Sequence, residues 1–188
     1  MSAQKKKIGR WKTLSSKLVY ENQWTKVFHE EVIRPNGEKG IYGVLEQTDG
    51  VYVVPLGSRG EIFMIYLENY PNRIRAWEIP AGGCDNEDTH AAAKRELKEE
   101  AGLEAKKWTS IGKFQLDRGL VRNWGHVFIA QDLRKVYGAK QEEEGITAAK
   151  KFPLKKVLSM IKKGEISDSA TIVAITKVLL YLGLMIRE

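Results

Sequence analysis

The chain has 188 residues, 31 lysines and arginines against 24 aspartates and glutamates, a net charge of +7 and a single cysteine. That length suits one domain or one domain with a small appendage, and one thiol excludes an internal disulfide framework. No apolar run reaches the roughly 18–20 residues of a membrane helix, and the opening MSAQKKKIGRWK lacks the apolar segment of a secretory signal, so a cytoplasmic enzyme or binding protein with no membrane partner is expected.

In chain order, Lys5, Lys6, Lys7, Arg10, Lys12 and Lys17 come first, with no acid among them, and the remaining chain carries only +1. Residues 1–17 therefore read as a basic, flexible tail on a nearly neutral body, and nucleic acid is not the expected partner. Residues 18–48 read as short strands rich in β-branched and aromatic side chains, turned at Asn36-Gly37. Val51 to Leu56 and Glu61 to Leu67, joined by Ser58-Arg59-Gly60, read as a hairpin with a buried face. WEIPAGGCDN at 77–86 reads as a strand end and a loop. A helix is expected from about Glu87 to Ala101, capped by Asp88 or Thr89 and stopped by Gly102. Strands near 107–116 and 124–131 follow, then a polar loop over 132–145 and a short strand or turn at Phe152. Helices near 154–163 and 168–183 end the chain. Lys150, Lys151, Lys155, Lys156, Lys162 and Lys163 read as the wet face of an amphipathic helix. Strands and helices without regular βαβ alternation favour an α+β fold, or a helix–sheet–helix sandwich, over a doubly wound sheet.

The chemistry concentrates in Arg95-Glu96-Leu97-Lys98-Glu99-Glu100-Ala101-Gly102-Leu103. On a helix, Glu96, Glu99 and Glu100 share one face, with neighbouring Cβ atoms roughly 5–6 Å apart. Carboxylates this close are either screened by solvent and paired with Lys94, Arg95 and Lys98, or they hold a hard cation such as Mg²⁺. Gly82 and Gly83 before the helix let backbone groups approach a ligand closely.

Trp77-Glu78-Ile79-Pro80-Ala81-Gly82-Gly83, then Glu87, then Arg95 to Leu103, resembles the signature of the Nudix hydrolases. From Glu87 onward the match is complete; between Gly82 and Glu87 the loop is one residue shorter than the signature. The order of elements from residue 11 to 183 is similar to the ADP-ribose and nucleoside diphosphate sugar pyrophosphatase branch. The resemblance implies an α/β/α sandwich with a mixed sheet, residues 18–48 as an N-terminal β arm serving dimerisation, and residues 49–188 as the catalytic domain. It implies Mg²⁺-dependent hydrolysis, with Mn²⁺ as a possible substitute, of a nucleotide sugar to a nucleoside monophosphate and a sugar phosphate, by a homodimer that exchanges its arms.

Carried over by motif position, Glu96, Glu100 and the Ala81 carbonyl are expected to bind metal, while Glu99 could bind metal or orient water. Gly82, Glu87, Arg95 and Gly102 are expected to be structural. Gln141-Glu142-Glu143-Glu144 matches the branch's acidic loop, with Glu142 expected as base and Glu144 as a further ligand, against the reading of a solvated surface loop. Trp24 could stack on a nucleobase or belong to the core. Arg73, Arg118 and Arg122 are candidates for diphosphate or sugar contacts. The downstream Ser-Pro-Gly loop of ADP-ribose hydrolases is replaced by Asp117-Arg118-Gly119-Leu120, which leaves the sugar open. Two other readings stand beside this one: an RNA-end pyrophosphohydrolase, motivated by the basic tail, and a Nudix-like binding module that has lost catalysis.

Overall fold

The computed structural model describes residues 10–137 and 139–184. These divide into two compact units, one of residues up to Thr48 together with Gln115–Asn123, the other of Asp49–Phe114 and the chain from Trp124 onward.

The first unit is one sheet. Strands β1 (Lys12–Glu21), β2 (Thr25–Ile33) and β3 (Lys39–Gln47) form an antiparallel meander. The two-residue strand β9 (Val121–Arg122), contributed by the 115–123 segment, pairs parallel to β3. The β2–β3 turn is made by Gly37, whose φ of 89° suits a residue without Cβ. Phe28, Glu30 and Val32 alternate onto one face of β2, as the pleat requires. The strand starts at Lys12, six residues before the expected boundary of the tail, so Lys12 and Lys17 lie on an exposed edge strand rather than in a flexible tail. Lys5, Lys6 and Lys7 lie outside the described residues.

The second unit carries two sheets. Strands β4 (Gly50–Pro55), β7 (Ala81–Gly83), β8 (Leu103–Phe114) and β10 (Gly125–Lys135) stand in the order β7-β4-β10-β8, with β4 and β10 parallel and the other pairs antiparallel. Strands β5 (Glu61–Asn69), β6 (Ile74–Glu78) and β11 (Ile146–Pro153) form the antiparallel order β11-β5-β6. The helices are α1 (Thr89–Ala101), α2 (Leu154–Lys162) and α3 (Ser169–Tyr181). Alternation along β4 and β10 splits the core in two. Val51, Val53, Phe128 and Ala130 pack with Ala93 and Leu97 of α1, while Val54, Val127 and Ile129 pack with Met160 of α2 and Ile175 and Val178 of α3. The result is an α+β architecture in which helices cover both faces of a mixed sheet.

Three expectations change. β4 and β5 do not form a hairpin: beyond one bridge between Leu56 and Ile62 they enter different sheets. β4 is apolar on both faces and so takes a central place between β7 and β10, as doubly covered strands do. The polar stretch ends in the full strand β11, which takes Lys150 and Lys151 away from the expected helix face and leaves Lys155, Lys156 and Lys162 on α2. β8 begins at Leu103, immediately after the glycine that ends α1.

Candidate active site

The site grows from the junction of β6, β7 and α1. Asp88 caps α1 by accepting from the His90 and Ala91 amides, and Gly102 ends it in the left-handed region at φ 62°. The short loop before the helix closes through Asp85 and Asn86, both at positive φ (44° and 68°), with the Glu87 N–H donating to the Cys84 carbonyl at 2.6 Å. Consecutive left-handed residues are what a tight I′-like turn needs, and Asp and Asn tolerate them best. This turn absorbs the missing residue, so Glu87 still reaches Arg95.

Arg95 is the hub of the box. Its guanidinium donates to Glu87 at 3.3 Å, Glu96 at 2.7 Å, Glu99 at 3.2 Å and the Gly83 carbonyl at 2.8 Å. These bonds tie Glu87 and the Gly83 carbonyl to the helix through one side chain. Gly82 pairs with Val51 in the β4–β7 ladder, and a Cβ on it would clash with the Glu96 carboxylate. The glycine leaves room for that carboxylate across its α-carbon, and no unusual φ is involved.

Glu96 and Glu100 are both buried at 7% exposure, one turn apart on α1. The Ala81 N–H donates to Glu100 Oε2 at 2.7 Å. Burial pushes the Glu100 carboxyl up to about 8; the Ala81 hydrogen bond opposes this, and the charges of Glu96, Glu144 and Glu78 add to it. Burial also raises Glu96, against the pull of Arg95 and with the push of Glu99 and Glu144. Glu99 differs: its hydrogen bond with Lys140 holds it below the ordinary range. Lys140 Nζ lies 2.7 Å from Oε1 while Arg95 donates to Oε2 at 3.2 Å.

The acidic loop is a turn over Gln141–Gly145, not a strand, so alternation does not put Glu142 and Glu144 on one side. Glu142, Glu143 and Glu144 are all exposed on this turn, and the charge of Glu144 adds to the raising of Glu96 and Glu100. Glu78, to which the motif assigned no role, belongs to the cluster: burial and Asp168 raise its carboxyl to about 7. Asp168 itself caps α3, accepting from the Thr171 N–H at 2.6 Å, and Thr171 Oγ1 accepts from the Ile79 amide at 3.3 Å. The signal available in sequence was the acid in the middle of WEIPAG; what it faces depended on the α3 contact.

The donor set is carboxylate oxygen beside backbone, the chemistry that hard divalent cations take. Burial and mutual repulsion raise three of its carboxyls, which is what a bound cation would reverse. Among the described residues, however, no three His, Cys, Asp or Glu side chains are grouped to hold an ion by themselves. One oxygen of Glu96 is engaged by Arg95 instead, so an ion here would need oxygens from water or a phosphate ligand as well.

The remaining candidates lie elsewhere. Trp24 stands 62% exposed beside the β1–β2 turn, so it is not a core residue of the protomer. Arg73 sits in the β5–β6 turn, its guanidinium 4.1 Å from the Tyr70 ring centre. Arg118 and Arg122 do come together, lining a cavity of about 330 Å³ in the first unit with Trp11, Glu30 and Tyr42. Arg122 is bound there at 2.6 Å to Glu30, a carboxylate at 7% exposure. His126, in the second unit, hydrogen-bonds Asp49 at 2.9 Å.

Family models agree with this layout. The model of the nucleoside diphosphate sugar hydrolase N-terminal domain matches residues 11–45, and that of the NUDIX domain matches residues 46–173. The chain belongs to the Nudix family. It is similar to the ADP-ribose pyrophosphatase of Bacillus subtilis (strain 168), with 28% identity over 87% of this chain and 90% of that one. It is likewise similar to the ADP-ribose pyrophosphatase of Mycobacterium tuberculosis (strain ATCC 25618 / H37Rv), with 29% identity over 89% and 83%. A solved structure described as an ADP compounds hydrolase superposes with a TM-score of 0.81 at 21% identity, covering 95% of this chain and 97% of that one, a likeness of fold. The protein is thus a Nudix hydrolase carrying the N-terminal domain of the nucleoside diphosphate sugar branch. Among the described residues no helix is long and apolar enough to cross a membrane.

Proposed function

We propose that this Nudix hydrolase cleaves the diphosphate of a nucleoside diphosphate sugar, ADP-ribose or a relative, with Mg²⁺ or Mn²⁺, to a nucleoside monophosphate and a sugar phosphate in the cytoplasm. The observation that carries the reading is the buried pair Glu96 and Glu100 on one helix face, with Glu100 held by the Ala81 amide. Two mutually repelling buried carboxylates are costly without a cation, and a diphosphate is the substrate that brings a cation and needs one. When bound, the cation would neutralise phosphate oxygens and acidify water. Glu96, Glu100 and the Ala81 backbone would hold it, with Glu144 contributed by the loop; Ala81 N–H fixes the Glu100 rotamer and Arg95 orients Glu96.

For the base, Glu142 is the sequence-derived choice, and Glu144, whose charge acts on Glu100, is the alternative. Comparing Glu142→Gln with Glu144→Gln decides between them, since loss of the base lowers kcat far more than it changes metal affinity. Arg73, Arg118 and Arg122 are the contacts we propose for the diphosphate or sugar, a guanidinium meeting phosphate charge with two parallel donors. Exposed Leu18, Val19, Tyr20, Trp24 and Ile41 on the arm support a homodimer built through it, Trp24 then serving the partner's site.

The test is turnover of a nucleotide-sugar panel with Mg²⁺ or Mn²⁺, read as phosphate after adding a phosphatase. Hydrolysis of ADP-ribose or another nucleoside diphosphate sugar is expected. Silence across the panel with both metals would replace this reading with that of a binding module.

A further inference from the structure

Helix α1 ends with carbonyl groups that have no partner in the helix, as every helix does. The Gly102 N–H takes those of Leu97 and Lys98. The carbonyls of Glu99 and Glu100 are taken by the acidic loop: Lys140 N–H donates to Glu99 O at 2.8 Å, and Gln141 Nε2 donates to Glu100 O at 2.8 Å. The loop therefore substitutes for the next turn of the box helix.

Lys140 then makes a second attachment to the same glutamate, its ammonium lying 2.7 Å from Glu99 Oε1. It also holds the loop from within, since its carbonyl accepts from the Glu144 N–H at 3.2 Å. One residue thus joins Glu99 by backbone and by side chain, and joins Glu144 by its carbonyl. Glu99, gripped by Arg95 on its other oxygen, is a strut between the box and the loop. The far end of this chain of bonds is the backbone of Glu144, on the turn that carries the loop's three glutamates. A surface ion pair alone is worth little, but Glu99 is only 19% exposed at its side chain, and here the pair is backed by three hydrogen bonds converging on one turn.

We propose that Lys140 is a positioning residue that latches the acidic loop, Glu144 included, onto Glu99 of the box helix. The catalytic consequence rests on the function proposed above; the latch does not. Gln141 is the second point of the latch.

The experiment compares Lys140→Ala, Lys140→Arg, Gln141→Ala and Glu99→Gln in the full chain by amide hydrogen exchange and by steady-state kinetics on whichever nucleotide sugar is turned over. Lys140→Ala keeps the backbone bond and removes the side-chain one. It is expected to speed exchange at the Lys140, Glu144 and Ile146 amides, and to lower kcat about 10–100-fold, as loss of an outer-shell partner does, with a much smaller change in KM. Lys140→Arg restores most of both, because a guanidinium can still reach Glu99. Gln141→Ala is expected to loosen the same amides. Lys140→Ala and Glu99→Gln are expected to be non-additive in exchange, since they break one contact. Unchanged loop exchange and kcat in Lys140→Ala would overturn the latch, as would a lowered melting temperature with loop exchange and kcat both unaltered. If no nucleotide sugar is hydrolysed, the proposed function fails by itself, and loop exchange still decides whether the latch exists.

Discussion

Glu100 is the residue whose surroundings say most about the chemistry. In metal-free protein its folded carboxyl titrates near 8 against an ordinary 4.5, so the folded state binds more protons between those values. Stability then falls as pH rises through that interval, and Glu78, raised to about 7, contributes with the same sign. The melting temperature in a chelator is expected to drop from pH 5 to 8, and Glu100→Gln is expected to flatten that slope while lowering turnover about 10²–10³-fold, the scale of losing one preorganised electrostatic group. A slope unchanged in the Gln variant would show that Glu100 does not carry the strain. Gly82→Ala tests the neighbouring contact. Its methyl would clash with the Glu96 carboxylate, so Glu96 must swing away and activity is expected to fall, at a stability cost of about 1–3 kcal/mol. Activity at the wild-type level would mean that Glu96 need not occupy the place it has here.

At the scale of elements, the loop into α1 shows how one residue can be lost without losing the helix. Asp85 and Asn86 at positive φ close the turn, and Asp88 caps the helix behind it. Asn86→Gly is expected to be neutral or slightly stabilising and Asn86→Val clearly destabilising, since a β-branched residue resists φ 68°; thermal melts of the pair check this, and equal melts would refute the turn. Asp88→Ala should cost about 1 kcal/mol through the lost cap. The helix itself was legible because propensity, cap and glycine stop all agree over its 13 residues. Strand β11 was not, because its adjacent Lys150 and Lys151 break the apolar alternation and its partner β5 lies some eighty residues earlier in the chain. The β4–β5 hairpin failed for a related reason: two adjacent apolar strands with a good turn still part company when each finds better-covered neighbours elsewhere.

At the scale of the whole molecule, the net charge is the feature that most needed placing. The second unit is built around carboxylates that would meet a small polyanion through a cation, so deleting residues 1–9 is expected to leave nucleotide-sugar turnover unchanged. Loss of turnover on that deletion, or cleavage of capped or triphosphate RNA that depends on those residues, would favour the RNA-end reading. Sizing chromatography with light scattering is expected to give a dimer, and Trp24→Ala to leave the dimer intact while weakening substrate binding. A monomer at micromolar concentration would remove the exchanged arm from the account.

The sequence by itself determined the family, the box helix with its caps and the α+β class, because each is written in contiguous residues whose spacing matches a helical or turn period. Only the tertiary structure decided that Glu96 and Glu100 are buried, that the half-buried Glu78 feels Asp168 and in turn raises Glu100, and that Glu99 is paired with Lys140. Those outcomes depend on desolvation and on groups 22 to 90 residues apart meeting across elements, quantities that no local pattern carries.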